Sequence, residues 1–399
     1  MPGSAEGAPG HRTDSLDVGR GICAVLVLLF HGLLVFRIGG VDDPHLLPVD
    51  LSDPWLLLQH LLLGLANGPA YVTFFFVLSG TVLALSLDRD PPIHASSVLG
   101  YLVRRGFRLY PLLIVTAGIA ALLQLHYFEL RDWPQATSWF NNSYKIDQAE
   151  LPAEFLANVQ GRSATLNGPA WSIKVEILAS AVFPLLYLLS LTMRRAVLAA
   201  LVLCAAMFLL PGSAERWHYM NVFLFSFFLG ALLPRWGWPV AAALLRLGRV
   251  PRIALLIFLA MVFLFSRRLL GPDEFAPPTV VLLETLCAAV AVVLLLHGGD
   301  RAFFHAAPMR LLARLSFGIY LLHMIVLSVL AHAVLPWLPA ELGPMAALGW
   351  GLLLALVTFC ITLPAAWVLH VLVERPMQQL GRVIAARLAR RQSPLRRIA

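Results

Sequence analysis

The sequence predicts an all-α, polytopic membrane protein of about ten transmembrane helices with both termini cytoplasmic. Three observations carry that prediction. The 399 residues are 59% hydrophobic and only 13% charged, about half the charge of an ordinary soluble chain, and the mean hydropathy is +0.78. The apolar residues fall in separate runs long enough to cross a bilayer. The basic residues fall between those runs, mostly on alternate sides. So much apolar surface excludes a soluble enzyme, a disordered chain and a secreted disulfide scaffold. The basic excess, 30 Lys and Arg against 22 Asp and Glu, marks orientation in a lipid bilayer and not binding to nucleic acid.

A bilayer core about 30 Å thick takes roughly 20 apolar residues in a helix. Ten segments qualify, at about 18–37, 69–87, 100–126, 168–191, 196–211, 217–234, 252–267, 278–297, 309–333 and 345–373. The stretch 55–66 is apolar but short, and is expected to be an interfacial or re-entrant helix. Segment 1–14 is polar, Gly/Pro-rich and without a cleavable signal pattern, so it is expected to be a flexible cytoplasmic N-terminus. Segment 377–399 reads as a basic cytoplasmic tail. With the N-terminus inside, the cytoplasmic segments hold 22 Lys and Arg and the outer ones seven, while Lys174 falls within a span. That asymmetry sets the predicted orientation. The longest loop, 127–167, is then outside. Its Trp133, Trp139, Asn141, Asn142 and Tyr144 suit a polar, ring-shaped ligand or an ordinary interfacial aromatic belt. Cys23, Cys204, Cys287 and Cys360 lie in apolar runs without paired spacing and read as buried thiols.

Ionisable groups within a membrane are costly and point to function. The first segment carries Asp17, Arg20 and His31. At 100° per residue His31 lies within about 20° of Arg20, and Asp17 about 60° from it, so the three share a face. A span beginning near Gly19 puts His31 about 18 Å deep, past the midplane. It reads as a general base or a packing histidine. Arg105 and Arg108, in Tyr101-Leu-Val-Arg-Arg-Gly-Phe-Arg-Leu-Tyr110-Pro111, sit three apart at the cytoplasmic mouth of the third segment. Such spacing suits phosphate oxygens, and positive-inside charge explains it equally well. Arg104 is less well placed.

Asn167-Gly-Pro-Ala-Trp171-Ser-Ile-Lys-Val-Glu176 opens the fourth segment from outside, with Pro169 suited to the first helical turn. Glu176 is then roughly 11 Å below the outer surface and His31 roughly 12 Å below it. The matching depths predict an acid beside the imidazole, orienting its tautomer. Pairing with Lys174 or a helix-packing hydrogen bond is the alternative for Glu176. Phe75-Phe-Val-Leu-Ser79-Gly80 ends in small residues that allow close helix contact. Ser316-Phe-Gly-Ile-Tyr-Leu-Leu-His323 places His323 about as deep as His31. Glu374-Arg-Pro376 closes the last segment. No nucleotide loop, paired metal-ligand spacing or nucleophile elbow is present.

In this order the segments resemble the acyltransferase family 3 membrane proteins. The matching pieces are Asp17-x-x-Arg20 with His31, Phe75 to Gly80, Arg105-x-x-Arg108-Leu-Tyr110-Pro111, Trp171-Ser-x-x-Val-Glu176, Ser316 to His323, and Glu374-Arg-Pro376. Together they run across a single transmembrane domain, 15–376. Gly19 and Thr81 stand where the family more often has apolar residues. The resemblance implies a multi-pass enzyme of the inner, cytoplasmic membrane. It would take an acyl group, commonly acetyl, from acyl-coenzyme A as a co-substrate that is not permanently bound. The acceptor would be a hydroxyl, usually on a carbohydrate or cell-surface glycan. By the matching positions His31 would be the base, helped by Glu176, and Arg105 with Arg108 would hold donor phosphates. Asp17, Arg20, Ser79, Tyr110, Trp171 and His323 would support them. An acyltransferase acting on a small lipophilic metabolite, and a proton-coupled transporter using His31 and Glu176, are the competing readings.

Overall fold

The computed structural model describes residues 11–42, 53–210, 219–270, 276–297 and 302–391, and regular structure there is helical apart from two isolated bridges. In chain order the helices are α1 (His11–Leu33), α2 (Pro54–Leu65), α3 (Gly68–Arg89) and α4 (Ala95–His126). The long loop holds the short α5 (Ser138–Asn142) and α6 (Leu151–Val159). Then come α7 (Ala170–Ser190), α8 (Met193–Leu209), α9 (Met220–Trp236), α10 (Trp238–Arg246), α11 (Arg249–Leu270) and α12 (Pro278–His297). The chain closes with α13 (Ala302–His305), α14 (Ala307–Val334), α15 (Pro344–Leu369) and α16 (Arg375–Arg391).

Among the described residues eight stretches are long and apolar enough to cross a membrane, or nine if α9 and α10, bent by 72°, form one broken span. The all-α, multi-span expectation of about ten helices compares with these eight or nine, counted by length and composition among the described residues. The difference is α8, whose 17 residues rise about 26 Å, just short of a typical hydrocarbon core. The stretch expected at the interface is α2, which packs on α1, α11 and α15. It buries Gln59, whose Nε2 donates to the Leu33 carbonyl at 3.1 Å. α2 leads into α3 through Asn67, which accepts from Ala70 N at 3.4 Å and donates to the Leu264 carbonyl of α11 at 2.9 Å.

α1 sits at the centre, against α3, α12, α14 and α15. Close approach needs glycine: a Cβ on Gly32 would meet the Ala355 Cβ of α15 at 2.6 Å. α3 and α9 press closer still. A Cβ on Gly80 would sit 2.0 Å from the Phe227 carbonyl oxygen, and one on Gly230 2.0 Å from that of Val77. Thr81, unusual for the resemblance, donates to both the Val77 and Gly230 carbonyls at 3.0 Å. The small residues closing the Phe75–Gly80 stretch thus do what their size predicts. Helix α16 begins at Arg375, two residues before the expected tail boundary, and packs along α4, with Gly381 against Phe107. Cys23 and Cys287 are buried and Cys204 half-buried, but Cys360 is exposed on α15, which corrects its reading as buried. Residues 1–10 of the expected flexible N-terminus, 392–399 of the tail, and Arg216 and Arg301 lie outside the described residues.

Candidate active site

The far end of α1 is held by the long loop. Phe36 bridges Ala136, Arg37 N donates to the Gln135 carbonyl at 3.1 Å and Thr137 N to that of Val35 at 3.0 Å. Asp42 accepts from Ser138 N at 2.6 Å, from Ser138 Oγ and from Arg37 Nη2 at 3.0 Å. Burial works against the Asp42 charge, but Ser138 and Arg37 outweigh it and hold the carboxyl below the usual aspartate range. This anchoring lays Trp139 flat on the His31 ring, with centroids 5.3 Å apart and planes 5° from parallel.

His31 meets His323 of α14, with Nδ1 2.9 Å from the partner's Nε2. The tautomers follow from the acceptors. His323 Nδ1 faces the Tyr320 carbonyl at 2.7 Å and the Ile319 carbonyl at 3.3 Å. Carbonyls only accept, so His323 Nδ1 carries the proton and a neutral His323 offers the Nε2 lone pair. His31 Nδ1–H then donates to it. Neutral His31 is left with its lone pair on Nε2, as a general base requires.

Beside His31 lies a cavity of about 390 Å³, lined in part by His31, Trp139, Asn142, Tyr144, Trp171 and Tyr320. A narrow one of about 50 Å³ continues from it past Val72 and Tyr320 to Ser79, Glu176, Arg20 and Arg108. Here the Tyr320 and Ser172 hydroxyls bond at 2.8 Å. Arg20, Arg108, Ser316 and Phe317 also line a third cavity, of about 320 Å³, at the opposite end of α1. That one adds Arg310, Arg314, Asp17, Asp14 and Glu374. Asp17 pairs with Arg20 at 2.7 Å, while Glu374 is bonded to His370 and Gln378, both at 2.9 Å. The three cavities make a path along α1 from an arginine-rich mouth to a histidine pair.

Two sequence expectations need correction. The Glu176 carboxylate does not orient His31. Its partner is Arg105 Nη2 at 2.5 Å, and Arg105 Nε donates to Ser180 at 3.1 Å. Equal depth places two residues in one layer of a bundle without making them neighbours, and it was His323, also at that depth, that faced His31. The Arg105–Arg108 pair is also split. Arg105 turns to α7, whereas Arg108 lines the lower two cavities. Asp17, Arg20, Ser79 and Trp171 line the path, whereas His323 is buried behind His31 and, like Tyr110, lines none of these cavities. In the loop, Trp139, Asn142 and Tyr144 line the cavity beside His31. Asn141 instead serves the fold, accepting from Trp133 N at 3.0 Å, and Arg131 lies over the Trp133 ring at 3.8 Å.

Some lining residues were missed. Arg310 and Arg314 read as topology signals, although their i, i+4 spacing one turn before Ser316 puts both on one helix face. Arg267 and Arg268 read as an outer span end, yet each is only 7% exposed and lines the cavity around His31.

Compared with known proteins, residues 13–371 match the family model described as the acyltransferase domain of the acyltransferase 3 type. No curated protein and no solved structure matches significantly.

Proposed function

Because the chain belongs to the acyltransferase 3 family and is thus a multi-pass membrane acyltransferase, we propose that it moves an acyl group, in the first place acetyl, from acyl-coenzyme A to a hydroxyl of a carbohydrate or cell-surface glycan. One observation carries this reading: the series of three cavities with shared wall residues that runs along α1 from a cluster of arginines to His31, itself bonded to His323. Arg20 and His31 are separated along α1 by about 16 Å of helical rise, a span suited to a donor with phosphates at one end and a thioester at the other. Arg108, Arg20, Arg310 and Arg314 would hold the phosphates, with the carrier arm passing Ser79 and Tyr320. Arg105 and Glu176 would brace α4 against α7 beside the narrow passage, as positioning residues.

In the reaction the acceptor hydroxyl lies against Trp139 and gives its proton to His31 Nε2 as its oxygen attacks the thioester carbonyl. The new C–O bond forms, the C–S bond breaks, and the proton on His31 passes to the departing thiolate. His323 holds the Nδ1 proton of His31 throughout and so keeps Nε2 as the reacting nitrogen. The aromatic and amide lining of the upper cavity favours a hydroxylated ring over a small lipophilic metabolite. The arginine asymmetry supports an inner-membrane orientation with the arginine-rich mouth and both termini cytoplasmic.

The test is to give membranes holding the full chain labelled acetyl-coenzyme A and to follow label and released thiol. Transfer that requires His31, and saturates with the coenzyme A thioester, is the expected result. Labelled product formed equally well from acetyl-pantetheine, which lacks the nucleotide, would remove the arginine-rich mouth from the donor site.

A further inference from the structure

The proposed reaction places a base beside the acceptor hydroxyl, but charge also gathers on the thioester carbonyl oxygen as the new bond forms. In a water-poor site that oxygen needs a hydrogen-bond donor already in place. The thioester would arrive where the narrow passage opens into the cavity beside His31. Among the described residues these two cavities share Val72 and Tyr320, and of the two only Tyr320 has a side-chain donor. Its place is fixed from several sides. The ring meets Phe75 edge-on with centroids 5.6 Å apart and lies 5.8 Å from the His323 ring, and the residue is only 6% exposed. Its carbonyl accepts the His323 Nδ1 proton at 2.7 Å. One residue thus sets the histidine pair with its backbone and lines the passage with its side chain.

The Tyr320 proton can be placed. Ser172 Oγ lies 3.0 Å from the Pro169 carbonyl and 2.8 Å from the Tyr320 hydroxyl. The carbonyl only accepts, so the single Ser172 proton goes to Pro169, and Tyr320 O–H donates to Ser172. Tyr144, on the same upper cavity, is committed differently: its hydroxyl donates to the Met324 carbonyl at 3.1 Å. We propose that Tyr320 is a further catalytic residue, whose hydroxyl turns from Ser172 to the thioester carbonyl oxygen and holds the negative charge of the tetrahedral intermediate. This rests on the acyl-transfer reading of the same site. As the acceptor oxygen bonds to the carbonyl carbon and His31 Nε2 takes its proton, the carbonyl π pair moves onto the oxygen, where Tyr320 O–H donates to it. When that pair returns, the C–S bond breaks and the thiolate takes the proton from His31. Tyr320 keeps its own proton and turns back to Ser172. During the step Ser172 can turn from Pro169 to the Tyr320 oxygen, and a phenol that accepts such a bond is a stronger donor.

The experiment uses membranes of the cells that make this protein, which supply the acceptor, with labelled acetyl-coenzyme A as the probe and single-turnover rates taken per folded protein. Tyr320→Phe removes one oxygen and no ring contact. It leaves Ser172 bonded to Pro169, so no buried group is orphaned and the fold should hold. The rate should fall about 10²–10³-fold. The donor KM and the equilibrium affinity for acetyl-coenzyme A should hold, because the charged oxygen exists only beyond the ground state. Ser172→Ala breaks the same resting bond but leaves the donor, and should cost about tenfold at most. Equal losses in the two variants would make the bond structural and overturn the proposal. So would a near-wild-type rate in Tyr320→Phe, or a donor affinity that falls as far as the rate. Wild-type membranes that form no labelled product at all would instead overturn the acyl-transfer reading, and the proposal with it.

Discussion

At the scale of single residues, the two histidines do different work in the proposed reaction, and substitutions separate them. His31→Ala removes the nitrogen proposed to accept the proton and should lower the rate by about 10²–10⁴ while insertion stays intact. His323→Ala keeps that nitrogen but leaves the His31 tautomer unset, so kcat should fall less and the donor KM should hold. Single-turnover rates of the two variants check this, and a larger loss in His323→Ala would exchange the roles. The arginines divide in the same way. Arg108→Ala should raise the donor KM, since Arg108 lines the path. Arg105→Ala would leave the Glu176 carboxylate, only 18% exposed, without its partner, and should cost about 3 kcal/mol of stability, seen as lost folded yield in detergent. Sequence reasoning found His31 and His323 because the rise per residue is constant, so depth can be counted along each span. It could not assign the partner of Glu176, because depth says nothing of azimuth: which of several residues in one layer meets Glu176 is settled by how the helices turn.

At the scale of elements, two contacts hold the site in shape. The crossing of α3 and α9 depends on Gly80 and Gly230 lying against each other's backbone. Gly80→Val would drive a branched side chain into the Phe227 carbonyl and force the helices apart, an overpacking loss of about 3 kcal/mol or more. The melting temperature in detergent should drop sharply, and a wild-type value would show that the helices separate at little cost. This contact was legible, since small residues in an apolar run have few other uses. The second contact, the latch of Asp42 on Ser138 and Arg37, was not legible, because a loop anchor has no periodicity to reveal it. Its carboxyl is held below the usual aspartate range, so its stabilisation is fully present above an ordinary aspartate pKa, near 3.9, and is lost only as pH falls through the lower folded value. Asp42→Asn should therefore loosen the Trp139 loop at neutral pH, whereas the wild-type loop should loosen only in strong acid. Trp fluorescence against pH distinguishes the two.

At the scale of the whole molecule, the cavities constrain the topology more tightly than helix length does. The start of α1, through Asp14 and Asp17, and the junction of α15 with α16, through His370, Glu374 and Gln378, line one and the same cavity. The first crossing therefore begins on the face where the last one ends, which requires an even number of crossings. Nine fails that condition. Eight satisfies it with neither α8 nor the bent α9–α10 pair crossing, and ten satisfies it if α9 with α10 makes one crossing and the 17-residue α8 makes another through a slightly thinned bilayer. The arginine asymmetry then supports a cytoplasmic arginine-rich mouth, where a coenzyme A thioester is met, and an outer His31 end covered by the 127–167 loop. The prediction can be read with single cysteines in a Cys360→Ser background, which removes the exposed native thiol. Gln160 and Gln379 are both exposed, one in the loop and one on α16. Gln160→Cys should react with an impermeant thiol reagent in intact cells, and Gln379→Cys only after lysis. The reverse pattern would put the histidine end in the cytoplasm and the arginine mouth outside, away from the donor. Labelling of both in intact cells would break the even count, because α16 and the loop would then share a side.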